Sequence, residues 1–94
     1  DVVLEDVQTL NLWAIEGKLD ISKISYGVLH LVLQQYTVLN SGGALGKGVG
    51  PLLITKNPTL TIEQVTHAKI AIPGVNTTAH LLFSMAFPYA QEKS

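Results

Sequence analysis

The residues of this chain best suited to chemistry are hydroxyls and a lysine placed at the ends of predicted elements. Thr77 and Thr78 stand just past Ile72, Pro73 and Gly74, where a predicted strand stops and a predicted helix starts. The first N–H groups of a helix have no partner within it and carry the positive end of its dipole, which suits a carboxylate or phosphate. Two adjacent hydroxyls add donors that can turn toward such an anion. The same residues also serve as ordinary caps, with Asn76 or Thr77 in that role and no ligand involved. Lys23-Ile24-Ser25 ends another predicted strand, and open α/β sheets collect ligands at the carboxyl ends of their strands. A lysine and a serine there would hold a small anionic molecule, although a lysine at a strand end is also an ordinary solvated charge.

Between these segments lies Ser41-Gly42-Gly43-Ala44-Leu45-Gly46-Lys47-Gly48-Val49-Gly50-Pro51. Glycine at that density suits turns of positive φ or a backbone that comes close to a ligand, and equally a flexible loop. It is neither of the phosphate-binding glycine patterns. The spacing to Gly46-Lys47 and the residue after it do not fit a P-loop, and the following segment reads as a strand rather than a helix. A turn lining a cleft suits it better. His30, His67 and His80 are scattered, with no second ligand at helical spacing and no nucleophile–base order, so each reads as structural. Trp13 reads as a core anchor of the first helix. Glu5 and Asp6 read as acids complementing a helix start.

Elements that would position these residues follow from pattern. Val2–Leu4 reads as a short strand, and Asp6 as the cap of a helix over Val7–Glu16 ended by Gly17. Leu19–Ser25 alternates like a strand, Tyr26–Gln35 reads as a helix apolar on nearly every side, and Tyr36–Leu39 reads as a strand. Pro51–Thr55 is a strand expectation, Asn57-Pro58 a turn, and Thr61 to Gln64 the opening of a helix of one or two turns. Ala68–Ile72 is a further strand, followed by the helix carrying Ala79, Leu81, Leu82, Met85 and Ala86; Gln91–Ser94 is expected to fray. This alternation implies an α/β fold with mostly parallel pairing. The polar stretch Lys56–Glu63 divides the chain into residues 1–56 and 57–94.

The 94 residues are 47% hydrophobic and only 14% charged, with a net charge of −1. A domain this small has much surface for its volume and ordinarily carries about 25% charged residues. The deficit implies apolar surface covered by something beyond these residues. The charge offers no footprint for nucleic acid or for an anionic membrane. No apolar run approaches the roughly 20 residues of a membrane-spanning helix. There is no cysteine, which excludes a disulfide framework and cysteine-based metal sites. With no basic, apolar leader at Asp1–Asp6, the expectation is a cytoplasmic protein, and the missing initiator methionine suggests a cut or processed chain.

Four segments carry a resemblance: Leu4–Asn11, Lys23–Tyr26, Ser41–Leu52 and Ile72–Ala79. In order and spacing they resemble the 1,4-dihydroxy-6-naphthoate synthases of the futalosine route to menaquinone, over nearly the whole chain. The glycine loop separates this family from the related chorismate dehydratases. The resemblance implies a periplasmic-binding-protein-like (type 2) two-lobe α/β fold, of which residues 1–56 supply part of the first lobe. Residues 57–94 would supply the crossover and the start of the second. It implies a carbon–carbon lyase converting cyclic dehypoxanthinyl futalosine to 1,4-dihydroxy-6-naphthoate with no cofactor and no metal. Lys23, Ile24, Ser25, Thr77 and Thr78 would contact the small, anionic substrate. The family's opening strand with its Ser-Pro-Cys-Pro-Asn-Asp loop has no counterpart here. Its histidine base has no match among these histidines, so the chain is expected to be an internal fragment, inactive alone. A non-catalytic solute-binding module of the same two-lobe architecture is the other reading. A small interaction domain would explain the apolar composition but not the clustered glycines.

Overall fold

A computed structural model describes residues 1–94. Four short α-helices carry the regular structure: α1 (Val7–Ile15), α2 (Leu29–Val32), α3 (Ile62–Thr66) and α4 (Thr78–Ala86), with a 3-10 turn over Tyr26–Val28 leading directly into α2. Helix α1 starts where the sequence places it. The Asp6 carboxylate accepts from the N–H groups of Gln8 and Thr9 at 2.9 and 3.1 Å, and Gly17 turns the chain away at φ 67°. Thr61 and Gln64 form a reciprocal capping box on α3, satisfying two otherwise unpaired donors at the helix start. Thr77 caps α4 by accepting from the His80 N–H at 3.3 Å. Asn57 makes the expected turn, its side chain accepting from the Thr59 N–H at 3.0 Å.

The helix expected over Tyr26–Gln35 is shorter than its pattern and begins as a 3-10 turn. Its buried residues are Val28 and Val32, which join Ala14 of α1 in the core, with Ile15, Ile24, Leu29 and Tyr36 packed around them. Leu31 and Leu33 stay exposed. Trp13 is not a core anchor: it is half-buried, and the Lys18 ammonium lies 4.5 Å from its ring centre, a cation–π arrangement.

The expected strands are not paired into a sheet. The backbones of Val2–Leu4, Leu19–Ser25, Tyr36–Leu39 and Pro51–Thr55 have no ladder. A strand exists through hydrogen bonds to a neighbour, and only Ile70–Ile72 finds one. It pairs in parallel with the C-terminal residues (Ile70 opposite Lys93), through Ile70 N–H to Glu92 C=O at 2.8 Å and Ser94 N–H to Ile70 C=O at 3.0 Å. The C-terminal segment expected to fray is therefore held. The radius of gyration, 15.6 Å, exceeds the roughly 12 Å of a compact domain of this length.

Candidate functional site

Helix α1 turns one polar residue into the packed unit. Asn11 is fully buried, and a buried amide must find partners for its donors and acceptor. Its Oδ1 accepts from the Ser25 N–H at 2.9 Å; its Nδ2 donates to the Ser25 hydroxyl at 3.0 Å and to the Asn76 carbonyl. One turn earlier, the Gln8 side chain accepts from the Asn76 N–H at 3.3 Å. Gly27 closes the arrangement by donating its N–H to the Thr78 hydroxyl at 2.9 Å. A Cβ on Gly27 would stand 3.1 Å from the Thr78 Cα and N, so glycine permits this approach of the 3-10 turn to the start of α4.

The two segments singled out in the sequence, 51 residues apart between Gly27 and Thr78, are thus neighbours. Ser25 is half-buried and precedes the 3-10 turn. Ile24 packs against the core. Lys23 is exposed. Thr77 is buried, and its hydroxyl is committed on both sides, donating to the Gly74 carbonyl at 2.7 Å and accepting from the His80 N–H. Capping therefore accounts for the Thr77 hydroxyl. Thr78 accepts from Gly27 and keeps its hydroxyl hydrogen for another partner.

Sequence reading passed over Asn11, Gln8 and Gly27 as parts of this cluster. A signal for Asn11 existed: it lies on the same helical face as Val7 and Ala14, a polar residue at a core position. No pattern marks Gly27, because its requirement arises from a contact distant in sequence. His80 is also more connected than its isolation in the sequence implies. Its Nδ1 lies 2.9 Å from the Val75 carbonyl and its Nε2 3.2 Å from the Ser84 hydroxyl, to which Lys93 donates at 3.1 Å. These bonds fasten the C-terminal segment to α4.

The glycine loop stands apart. Every residue from Thr37 to Thr59 is exposed, and a Cβ at Gly42, Gly43, Gly48 or Gly50 would meet nothing. A shallow hollow of about 260 Å³ lies elsewhere, against Gly17, Leu19, Asp20, Gln35 and Tyr36. No group of three acidic or histidine side chains is arranged to hold a metal ion. No helix is long and apolar enough to cross a membrane. The Asp6 carboxyl is held below its ordinary value of 3.8 by the Thr9 hydroxyl, then by the N–H groups of Thr9 and Gln8.

Comparison with known proteins places these residues. A family model described as menaquinone biosynthesis matches residues 1–93. The 1,4-dihydroxy-6-naphtoate synthase of Thermus thermophilus is 48% identical over 89 residues, covering 95% of this chain and 30% of that protein. Its namesake from Streptomyces coelicolor is 40% identical over 85 residues, covering 90% of this chain and 29% of that protein. The chain thus spans less than a third of the length of these relatives. No solved structure matches it. With almost its whole length matched by the model, and both relatives far above chance similarity, the chain belongs to the menaquinone-biosynthesis family.

Proposed function

We propose that this chain is part of a lyase of menaquinone biosynthesis that converts cyclic dehypoxanthinyl futalosine to 1,4-dihydroxy-6-naphthoate, and that it supplies part of the substrate cleft. The observation that carries this reading is the 48% identity, over 95% of the chain, to a 1,4-dihydroxy-6-naphtoate synthase. The whole enzyme has a two-lobe, periplasmic-binding-like α/β fold, with residues 1–56 in the first lobe and 57–94 leading to the second. The unpaired extended segments are then strands whose partners lie elsewhere in the protein, in keeping with their apolar, exposed side chains. Lys23, Ile24, Ser25, Thr77 and Thr78 line the cleft. Lys23 supplies positive charge, Ser25 and Thr78 supply hydroxyl donors, Ile24 packs beneath, and Thr77 shapes the helix start. The enzyme works in the cytoplasm. The general base comes from outside these residues, and the chain alone is inactive.

Turnover decides the matter. The full-length protein carrying this segment, given the cyclic futalosine substrate, releases naphthoate, detected by chromatography and absorbance. Tight binding of that substrate with no product formed would instead identify a solute-binding module.

A further inference from the structure

Helix α4 carries a second polar chain, on residues that the proposed cleft does not use. The Val75 carbonyl only accepts, so the His80 Nδ1 that lies 2.9 Å from it carries a hydrogen. The Lys93 ammonium only donates, so Ser84 Oγ, 3.1 Å away, is its acceptor. Ser84 has one hydrogen of its own, and His80 Nε2 lies 3.2 Å from its oxygen. In a neutral imidazole with its hydrogen on Nδ1, Nε2 is a bare acceptor, and it takes the Ser84 hydrogen. The bonds then run one way: Lys93 to Ser84, Ser84 to His80, His80 to Val75. All three side chains are half-buried. After α4 the chain reverses, with Ala90 buried and its N–H on the Phe87 carbonyl at 3.2 Å, which brings Lys93 back beside Ser84. The same reversal lays Glu92–Ser94 along Ile70–Ile72, where Ile72 donates to the Ser94 carbonyl at 2.9 Å.

We propose that His80, Ser84 and Lys93 form a pH-sensitive clasp, which holds Glu92–Ser94 against Ile70–Ile72 while His80 is neutral and loosens when His80 takes up a proton. Protonation puts a hydrogen on Nε2, and Ser84 Oγ must then accept from two cations at once. His80 and Lys93 converge on one oxygen, and like charges held so close disfavour each other. No other titratable side chain lies on α4 or on Pro73–Thr77. The returning segment adds the exposed Tyr89 and Glu92, and the exposed Lys69 precedes Ile70. Once the clasp opens, Lys93 moves away into solvent and the repulsion ends. The open form therefore binds the proton more readily than the closed one, so the closed form gains stability as pH rises and loses it as pH falls through the His80 titration. The clasp goes beyond the lyase reading and does not depend on it.

The test uses the full-length protein that carries this segment. Amide hydrogen exchange at Ile70, Ile72 and Ser94, corrected for the intrinsic pH dependence of exchange, reads how often the pairing opens. Protection at these amides should fall about tenfold between about pH 8 and about pH 5, in step with the His80 ring signals. Protection that stays level while His80 titrates would overturn the proposal. Lys93→Met removes the second cation, so protection in this variant should be lower than in wild type at the upper end of the range and nearly level across it. A folded Lys93→Met protein with the wild-type fall would overturn the proposal as well. Ring-nitrogen chemical shifts of wild-type protein cover the case in which that variant does not fold. At about pH 8 they should show His80 with its hydrogen on Nδ1; a hydrogen on Nε2 would break the one-way chain and refute the clasp.

Discussion

Val32 and Val49 are the same residue in two regions that differ in almost everything else. Val32 is 0% exposed in the core of α1, α2 and the 3-10 turn, whereas Val49 is 73% exposed in the glycine loop. Both regions are apolar in sequence, for Leu45, Leu52, Leu53 and Ile54 accompany Val49 and are exposed as well. The difference teaches that apolar content buries nothing without a partner surface. Helices α1 and α4 carry their own backbone hydrogen bonds and need only side-chain neighbours. The stretch Thr37–Thr59 has neither a ladder partner nor a facing layer.

One substitution made in both regions gives the largest contrast. Val32→Asp, introduced into the full-length protein, buries an unpaired carboxylate and should cost about 3–5 kcal/mol, read as a drop in denaturant midpoint at constant slope. Val49→Asp should stay within about 0.5 kcal/mol if the loop is a solvated surface. A large loss at Val49 would mean that the rest of the protein covers the loop, sharpening the cleft-lining expectation.

Neighbouring threonines at the start of α4 allow a finer comparison. Thr77→Ala removes a cap and should cost about 1 kcal/mol of stability with substrate affinity nearly unchanged. Thr78→Val leaves the Gly27 N–H without its acceptor, so it should cost about 1–3 kcal/mol of stability and also weaken substrate, the loss of one bond to a charged group costing on the order of 1.5–3 kcal/mol. Melting and binding measured on both variants separate capping from contact, and the reverse pattern would reassign the two roles.

The exposed apolar side chains make a prediction for the 94-residue chain alone. Leu81, Leu82 and Met85 on α4, with Leu31, Leu33, Leu52 and Ile54, are uncovered, and patches of this kind drive association. Sedimentation velocity should find it self-associated. A monodisperse monomer with a cooperative melt would show that the packed region suffices for solubility.

The smallest effect lies at Asp6. Its folded carboxyl titrates below 3.8, so its capping contribution is present above that value and is lost as pH falls through the lower, folded value. Helicity of α1, followed by circular dichroism in acid, should decline through that window in wild type and not in Asp6→Asn. Loss at higher pH would point to a different carboxylate.

Much of the local structure was legible because its causes are local. Asp6, Thr61 and Thr77 stop or start helices through side chains within three residues of the groups they satisfy, and Gly17 and Asn57 turn the chain by their own φ/ψ preferences and side chains. The candidate residues Ser25, Thr77 and Thr78 were visible for the same reason: hydroxyls at the ends of predicted elements. The expected strands outside Ile70–Ile72 find no ladder within these residues, because alternation and β-branching describe a surface waiting for a neighbour and do not supply the neighbour. What joined Ser25 to Thr78 was decided only in three dimensions. Asn11 looks like any helical asparagine until its amide is buried between two turns, and Gly27 like any glycine until α4 comes within 3.1 Å of its missing side chain. Local sequence determines which hydrogen bonds a segment can close by itself; packing determines which distant groups must close the rest.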